Sequence, residues 1–408
     1  MENTQPARAW VDEQDAVEEK ELPAFLRQSA ALPSWAVSDA TLEARAGAND
    51  DDDHLPGEAA ARKRFRSEGL ATLLSQTAPL LDSKTRGNRA AGAAVVSTLP
   101  LPRDAARTIQ WHPNGQLVIV GGNHHVYTFH AAGRYVERLS KVDIGARMET
   151  SCLTSSGEEL LLAGHDATMP SMLAVATERL TPLRFLDARG TAPYRTPRRD
   201  QSKRDFAITR IAERAGVVAV ASGPLVRLAS LRSAGVLARL ALDDPVNDLA
   251  FPGPERLAIA TGSELRLYDL RHTARFLEAF RDPAVRGITR VGWGPHALAI
   301  GSTSGVVSLY DGEPASPKGV SPIKTFKNLT TAIDAVAFGR DRAGEVVLAF
   351  STRAQKAGFR LARLPSCGVI PSFPAATMRH GFVQSLAFAP TLPILSVGER
   401  QKVTNYSI

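Results

Sequence analysis

The residue types that could do chemistry are present in this 408-residue chain, but their spacing argues against catalysis. Ser302-Thr303-Ser304 lies in a Gly/Ser-rich stretch, and nothing nearby marks one hydroxyl as an activated nucleophile. His124-His125 follows Gly121-Gly122; adjacent side chains of an extended chain point apart, so a surface turn is expected there rather than a ligand pair. In Gly164-His165-Asp166 the His is expected to hydrogen-bond structurally rather than to act as a base. There is no GxxxxGK[ST] phosphate loop, no HExxH helix and no CxxC pair, and the nine His are scattered. The reading is therefore not an enzyme: no catalytic residue, no cofactor and no metal. Cys152 and Cys367, the only two cysteines, are too few for a disulfide framework and fit a reducing compartment.

Charge is the more informative chemistry. The net charge of +7 conceals an asymmetry, because residues 1–60 hold 14 Asp and Glu against 4 Lys and Arg. The other 348 residues then carry 45 basic and 28 acidic groups, a balance of +17. A basic body favours anionic partners such as RNA. Two clusters concentrate it. Arg62-Lys63-Arg64-Phe65-Arg66 has the form used in nuclear import or RNA contact. Residues 184–210 hold eight basic side chains against three acids, and Pro193, Tyr194 and Pro197 make this a loop. Arg198, Arg199, Lys203 and Arg204 at its centre are candidate phosphate contacts, positioning without reading sequence.

These residues must be carried by a repeating body. Seven segments share a short alternating strand, a polar turn, a longer apolar strand, a Gly/Ser-rich turn and a third strand. The last large apolar residues of the first strands are Trp111, Leu153, Ile211, Phe251, Trp293, Phe338 and Phe388, separated by 42, 58, 40, 42, 45 and 50 residues. Four-stranded WD-type blades need roughly 40–45 residues. A lone four-stranded sheet cannot bury both faces, whereas radial stacking buries them and closes a ring. The expected fold is all-β: a seven-bladed WD-repeat β-propeller over residues 91–408, with a basic insertion near 184–206 and a largely disordered acidic N-terminal extension over 1–90. Tyr268-Asp269 and Tyr310-Asp311 stand where WD repeats carry Trp-Asp, and the Asp is expected to hydrogen-bond within its blade. The seventh repeat ends on its third strand, so residues 93–99 are expected to supply the fourth and cover an open edge.

In the extension, Asp50-Asp51-Asp52-Asp53 is a solvated charge run, and a short helix is predicted from Glu68 to Leu81. Two apolar islands, Trp10-Val11 followed by Asp12 and the Trp35 of Pro33-Ser34-Trp35-Ala36, are candidate anchors that order on a partner. No basic-then-apolar secretory signal opens the chain, and no 18-residue apolar run predicts a transmembrane helix.

The stretch from Gly305 to Tyr310, then Pro322-Ile323-Lys324, Asn328 to Ile333, Arg360 to Cys367 and Ser372-Phe373-Pro374 resembles one WD-repeat family, the U3 small nucleolar RNA-associated protein 18 family. Ala9-Trp10-Val11-Asp12-Glu13 and Pro33-Ser34-Trp35-Ala36 resemble its two leader motifs. The resemblance implies a scaffold of the nucleus and nucleolus, within the UTP-B subcomplex of the small-subunit processome. Its implied partners are other WD-repeat and helical-repeat UTP-B subunits, with pre-rRNA and U3 snoRNA in the same particle, and neither a membrane nor a small-molecule substrate. Two departures stand out: a Leu-Phe-x-Val-Asp motif that recruits an exosome-associated helicase is absent, and Gly398-Glu399-Arg400-Gln401-Lys402 lacks the family's second turn glycine. A different class, a WD-repeat adaptor of a ubiquitin ligase or chromatin complex, predicts a ligase-docking helix or box that the sequence does not show.

Overall fold

In a computed structural model the described residues are 93–187, 207–282, 285–295, 297–311, 321–364, 366–371, 373–374 and 378–408. They form seven four-stranded antiparallel sheets, the blades of a propeller. The innermost strands are Thr108–Trp111, Met148–Leu153, Ile208–Arg214, Val246–Gly253, Ile288–Gly294, Ala335–Arg340 and Ser385–Phe388. Each packs against the inner strands of the next and the preceding blade, so the seven close a ring around a central channel.

The second strands explain why the core is rich in small aliphatic side chains. Leu117–Gly121, Ala297–Ser302 and Ile394–Gly398 are buried along their whole length, because each blade is covered on both faces. Side chains alternate between the two faces. Ala219 and Ala221 pack toward blade four, while Val218 and Val220 pack toward blade two.

The closure expected from sequence is present. Ala94–Ala105 pairs antiparallel with Arg400–Ser407, with Leu99 opposite Val403 and Ala94 opposite Ser407. A polar chain runs across the seam. Trp111 Nε1 donates to Ser396 Oγ at 2.9 Å, Ser396 Oγ donates to Asn405 Oδ1 at 2.7 Å, and Asn405 Nδ2 donates to Ser97 Oγ at 3.0 Å. The turn that lacks the second glycine is made by Gln401 at φ +69°, a left-handed conformation in which a Cβ is strained.

One landmark shifts. Counting from the buried residue that opens each inner strand or stands two residues before it (Ala106, Met148, Ile208, Val246, Ile288, Ile333, Val383), the sixth position holds Trp111, Leu153, Glu213, Phe251, Trp293, Phe338 and Phe388. Ile211 is equivalent to Leu249 and Val291, two residues earlier. Glu213 thus replaces the large apolar residue in blade three, where its carboxylate accepts from Ser155 N–H at 2.6 Å and Ser155 Oγ at 2.9 Å.

His112 and His130 are buried in blade one. Burial pushes both below the ordinary imidazole value of 6.5, although the Asn114 hydrogen bond opposes this at His112 and the Glu137 charge at His130. Below that value the unfolded chain binds protons on both rings that the folded chain resists. Stability is therefore complete at neutral pH and falls as the pH drops below 6.5. Thermal melts across pH 7 to 5 are expected to show this loss, with a shallower slope in His112→Asn; a melting temperature independent of pH over that range refutes it.

Candidate binding surfaces

The sequence's own candidates, Trp10, Val11, Asp12, Trp35, Arg62, Lys63, Arg64, Arg198, Arg199, Lys203 and Arg204, lie outside the described residues, as does the predicted helix Glu68 to Leu81. The root of the basic insertion is described. A 3-10 turn, Arg184–Leu186, buries Leu186 beside Leu183 under blade three. Arg227, fully buried in blade three, donates from Nη1 to Leu186 O at 2.5 Å. Burial pushes its guanidinium down to about 10, opposed by the Asp187 charge. The insertion therefore leaves the propeller from a fixed point.

The described residues contain no group of three or more metal-ligating side chains. The closest thing to a catalytic relay is Tyr406 Oη, 2.9 Å from His380 Nε2, whose Nδ1 lies 2.5 Å from Glu399 Oε1. Its His side chain is 1% exposed and packs against the rings of Phe359 and Tyr406, so the relay has no access to substrate. Burial raises Glu399, but hydrogen bonds from His380 and the Gly381 N–H outweigh it and hold the carboxyl below its usual value. The relay ties the strand Arg400–Ser407 to the loop before the seventh inner strand. Tyr127 with Asp104 and Tyr310 with Asp282 make the same tie in blades one and five. In blade five the tyrosine hydroxyl thus does what sequence assigned to the following Asp, since Asp311 is exposed, whereas in blade four Asp269 hydrogen-bonds within its blade as expected, accepting from Arg271 N–H at 2.9 Å. His165 hydrogen-bonds as expected, but at the surface, 3.4 Å from Glu149.

The two ends of the channel differ in chemistry. At one end Phe251, Trp293, Phe338 and Phe388, the sixth-position residues of four consecutive blades, line a depression of about 1140 Å³ with Arg214 and Arg340 at its edge. At the other, where the inner strands begin, arginines gather. Arg210 Nε lies 3.3 Å from Asp248 Oδ1, and the other oxygen of Asp248 accepts Val291 N–H at 2.8 Å. Arg290 Nε donates to Asp334 O at 2.7 Å, Arg353 Nε to Gln384 O at 2.9 Å and Arg107 Nε to Asn123 Oδ1 at 3.1 Å. The bonds of Arg210, Arg290 and Arg353 each stitch one blade to the next. Burial pushes Arg210 down to about 10, with the neighbouring charge of Arg290 adding to it. Arg107 is lowered by burial and then by Arg147, Arg353 and Arg400. Sequence reading missed this cluster because its successive members are 40 to 80 residues apart. Their shared place, one or two residues into the repeat or in the turn facing it, is the signal that was available.

Two of the segments that carried the family resemblance, the turn at Gly305 and the 328–333 loop, pack against each other. Gly305 has φ +82°, and a Cβ there would meet Leu329 O at 2.6 Å and Thr331 N at 2.8 Å, so only glycine lets the 328–333 loop lie against this turn. Leu329 and Ile333 of that loop are buried between blades five and six. Such residues recur where the same loop must pack in the same way.

Comparison with known proteins follows that geometry. No protein-family profile matches the chain. The yeast Saccharomyces cerevisiae U3 small nucleolar RNA-associated protein 18 is 32% identical over 163 residues, 36% of this chain and 27% of that protein. The Drosophila melanogaster homologue is 40% identical over 106 residues, 26% of this chain and 20% of that protein. The Arabidopsis thaliana homologue is 20% identical over 365 residues, 86% of this chain and 64% of that protein. The chain resembles U3 small nucleolar RNA-associated protein 18. It spans less than two thirds of the length of each of these U3 small nucleolar RNA-associated protein 18 relatives. The WD40 β-propeller domain of Doa1 superposes with a TM-score of 0.57 at 14% identity, covering 78% of this chain and 97% of that domain, which shows the fold alone.

Proposed function

We propose that the chain is a non-catalytic scaffold of ribosome biogenesis, acting in U3 snoRNA-dependent pre-18S rRNA processing. The supporting observation is that the similar proteins from yeasts, fly, mouse, human and plant all carry the U3 small nucleolar RNA-associated name. A rigid ring with many loop faces suits the holding of parts in place, and a fold alone does not choose the parts. Within this reading the protein works in the nucleolus, in the UTP-B subcomplex of the small-subunit processome, beside other WD-repeat and helical-repeat subunits. Trp10, Val11, Asp12 and Trp35 anchor a partner subunit, and Arg62, Lys63, Arg64, Arg198, Arg199, Lys203 and Arg204 contact RNA phosphates.

Affinity purification of the full chain with protein and RNA readout tests this. U3 snoRNA and WD-repeat subunits are expected in the eluate. Ubiquitin-ligase subunits without U3 snoRNA would favour the adaptor and sink the proposal. Reversing charge at Arg198, Arg199, Lys203 and Arg204 is expected to make RNA association weaker and its salt slope shallower by about 0.7 for each phosphate no longer neutralised. An unaltered slope removes that loop from the RNA interface.

A further inference from the structure

The arginines at one end of the channel have more positive charge than the ring needs for its own cohesion. Arg107, Arg147, Arg210, Arg290, Arg353 and Arg400 come from six of the seven blades or their connecting turns and lie close enough to act on one another's charge. The carboxylates that act on Arg107, Arg210 and Arg353 are each engaged: Asp248 with Arg210 and Val291 N–H, Asp334 with Arg353 N–H, Glu149 with His165. Among the described residues only Arg210 of the six has a carboxylate within ion-pair distance.

The anchoring is uniform. In Arg107, Arg210, Arg290 and Arg353 the Nε edge is held by an oxygen of the ring, which fixes each guanidinium in place. Removing guanidiniums from water without counter-charges is unfavourable. A cleft of one sign between low-dielectric walls concentrates anions, and a planar guanidinium fork matches the tetrahedral oxygens of phosphate.

We propose that this mouth of the channel binds phosphate oxygens, supplied either by an RNA backbone or by a polyphosphorylated small molecule. Arg290 and Arg353 line the inner part of the site, and the exposed Arg147 and Arg400 form its outer rim. The inference does not depend on the ribosome-assembly reading, since it holds equally for a chain that never meets U3 snoRNA, and copurification tests that reading separately.

The test is direct titration of the full chain with inositol hexakisphosphate, with a short single-stranded RNA, and with polyglutamate as an equally acidic ligand lacking phosphate. Arg147→Ala and Arg400→Ala leave the ring's hydrogen bonds intact, because neither side chain bonds to another described residue. They are read beside Arg290→Ala and Arg353→Ala, whose folding is checked by thermal melting. Arg271→Ala, 65% exposed in a turn at the far end of blade four, is the control. The wild type is expected to bind at least one phosphate ligand, and each mouth arginine removed to weaken it by about tenfold, the effect of losing one charge-assisted hydrogen bond. Arg271→Ala is expected to bind as the wild type does. RNA binding alone assigns the site to a nucleic-acid backbone, inositol hexakisphosphate alone to a small polyphosphate, and mutual displacement to either source. Failure of both phosphate ligands to bind, rim variants that bind like the wild type, or polyglutamate bound as tightly as phosphate would each overturn the proposal.

Discussion

Truncating Leu99 and Leu101 to alanine together is expected to unfold the propeller at ordinary temperatures or to lower its melting temperature more than any other conservative pair. Both side chains are fully buried in the seam between the seventh and first blades, packed with Trp111, Val120, Ile394 and Val403. A buried Leu→Ala change costs about 2–5 kcal/mol, the transfer loss plus the cavity left behind. Two such losses are of the same order as the 5–15 kcal/mol that holds a domain folded. The position matters as much as the volume. In the other six blades the four strands are consecutive in the chain, whereas in the seventh the outer strand comes from before the first repeat, and the ring is closed by the pairing of Ala94–Ala105 with Arg400–Ser407. If that pairing loosens, the edge of Arg400–Ser407 is exposed, and an unpaired edge favours association with other chains. Val95→Ala, on the same strand but 53% exposed, is the matched control and should change stability by no more than about 0.5 kcal/mol. Equal melting temperatures for the double variant and the control would show that the seam does not hold the ring.

The seam was legible in the sequence because it follows from counting: seven repeats, one strand short, and one apolar run before the first repeat. The seven inner strands were legible for a similar reason, since alternation and turn residues are local. What failed was local too. Ile211 is the last large apolar residue of its strand, yet the strand continues to Arg214, and Glu213 takes the place held by Phe or Trp elsewhere. A carboxylate fits there because Ser155 of the preceding blade satisfies it, which no reading of one repeat shows. The same limit hid the arginines. Each is an ordinary charged residue at a strand start, and only closure of the ring brings Arg107 to Arg353 and Arg210 to Arg290. The tyrosine ties were half visible: the Tyr-Asp pairs marked the right strand ends, but Tyr310 reaches back to Asp282, 28 residues earlier, and leaves Asp311 in solvent.

The arginine mouth also sets the second large effect. Asp248→Ala is expected to destabilise the fold by about 3 kcal/mol, the lower end of what breaking a buried charge pair costs, because Arg210 keeps some contact with water. Asp248 is 8% exposed, and the Arg210 side chain 21%. Two connections go at once: the ion pair to Arg210 within the mouth and the acceptor for Val291 N–H, which joins blade four to blade five. Asp248→Asn separates them. The amide oxygen can still accept the Val291 N–H, so this variant should lose only the charge term and fall between the wild type and Asp248→Ala. Arg210→Met in the Asp248→Ala background removes the stranded cation and should recover part of the loss, giving a favourable coupling in the double-mutant cycle. If Asp248→Ala unfolds within about 0.5 kcal/mol of the wild type, the pair adds nothing to the ring. The same substitution acts oppositely on the phosphate site: with the Asp248 carboxylate gone from beside Arg210, the mouth becomes more positive. A chain that melts earlier yet holds inositol hexakisphosphate or RNA more tightly would show that Asp248 moderates the charge of the mouth while fastening its wall.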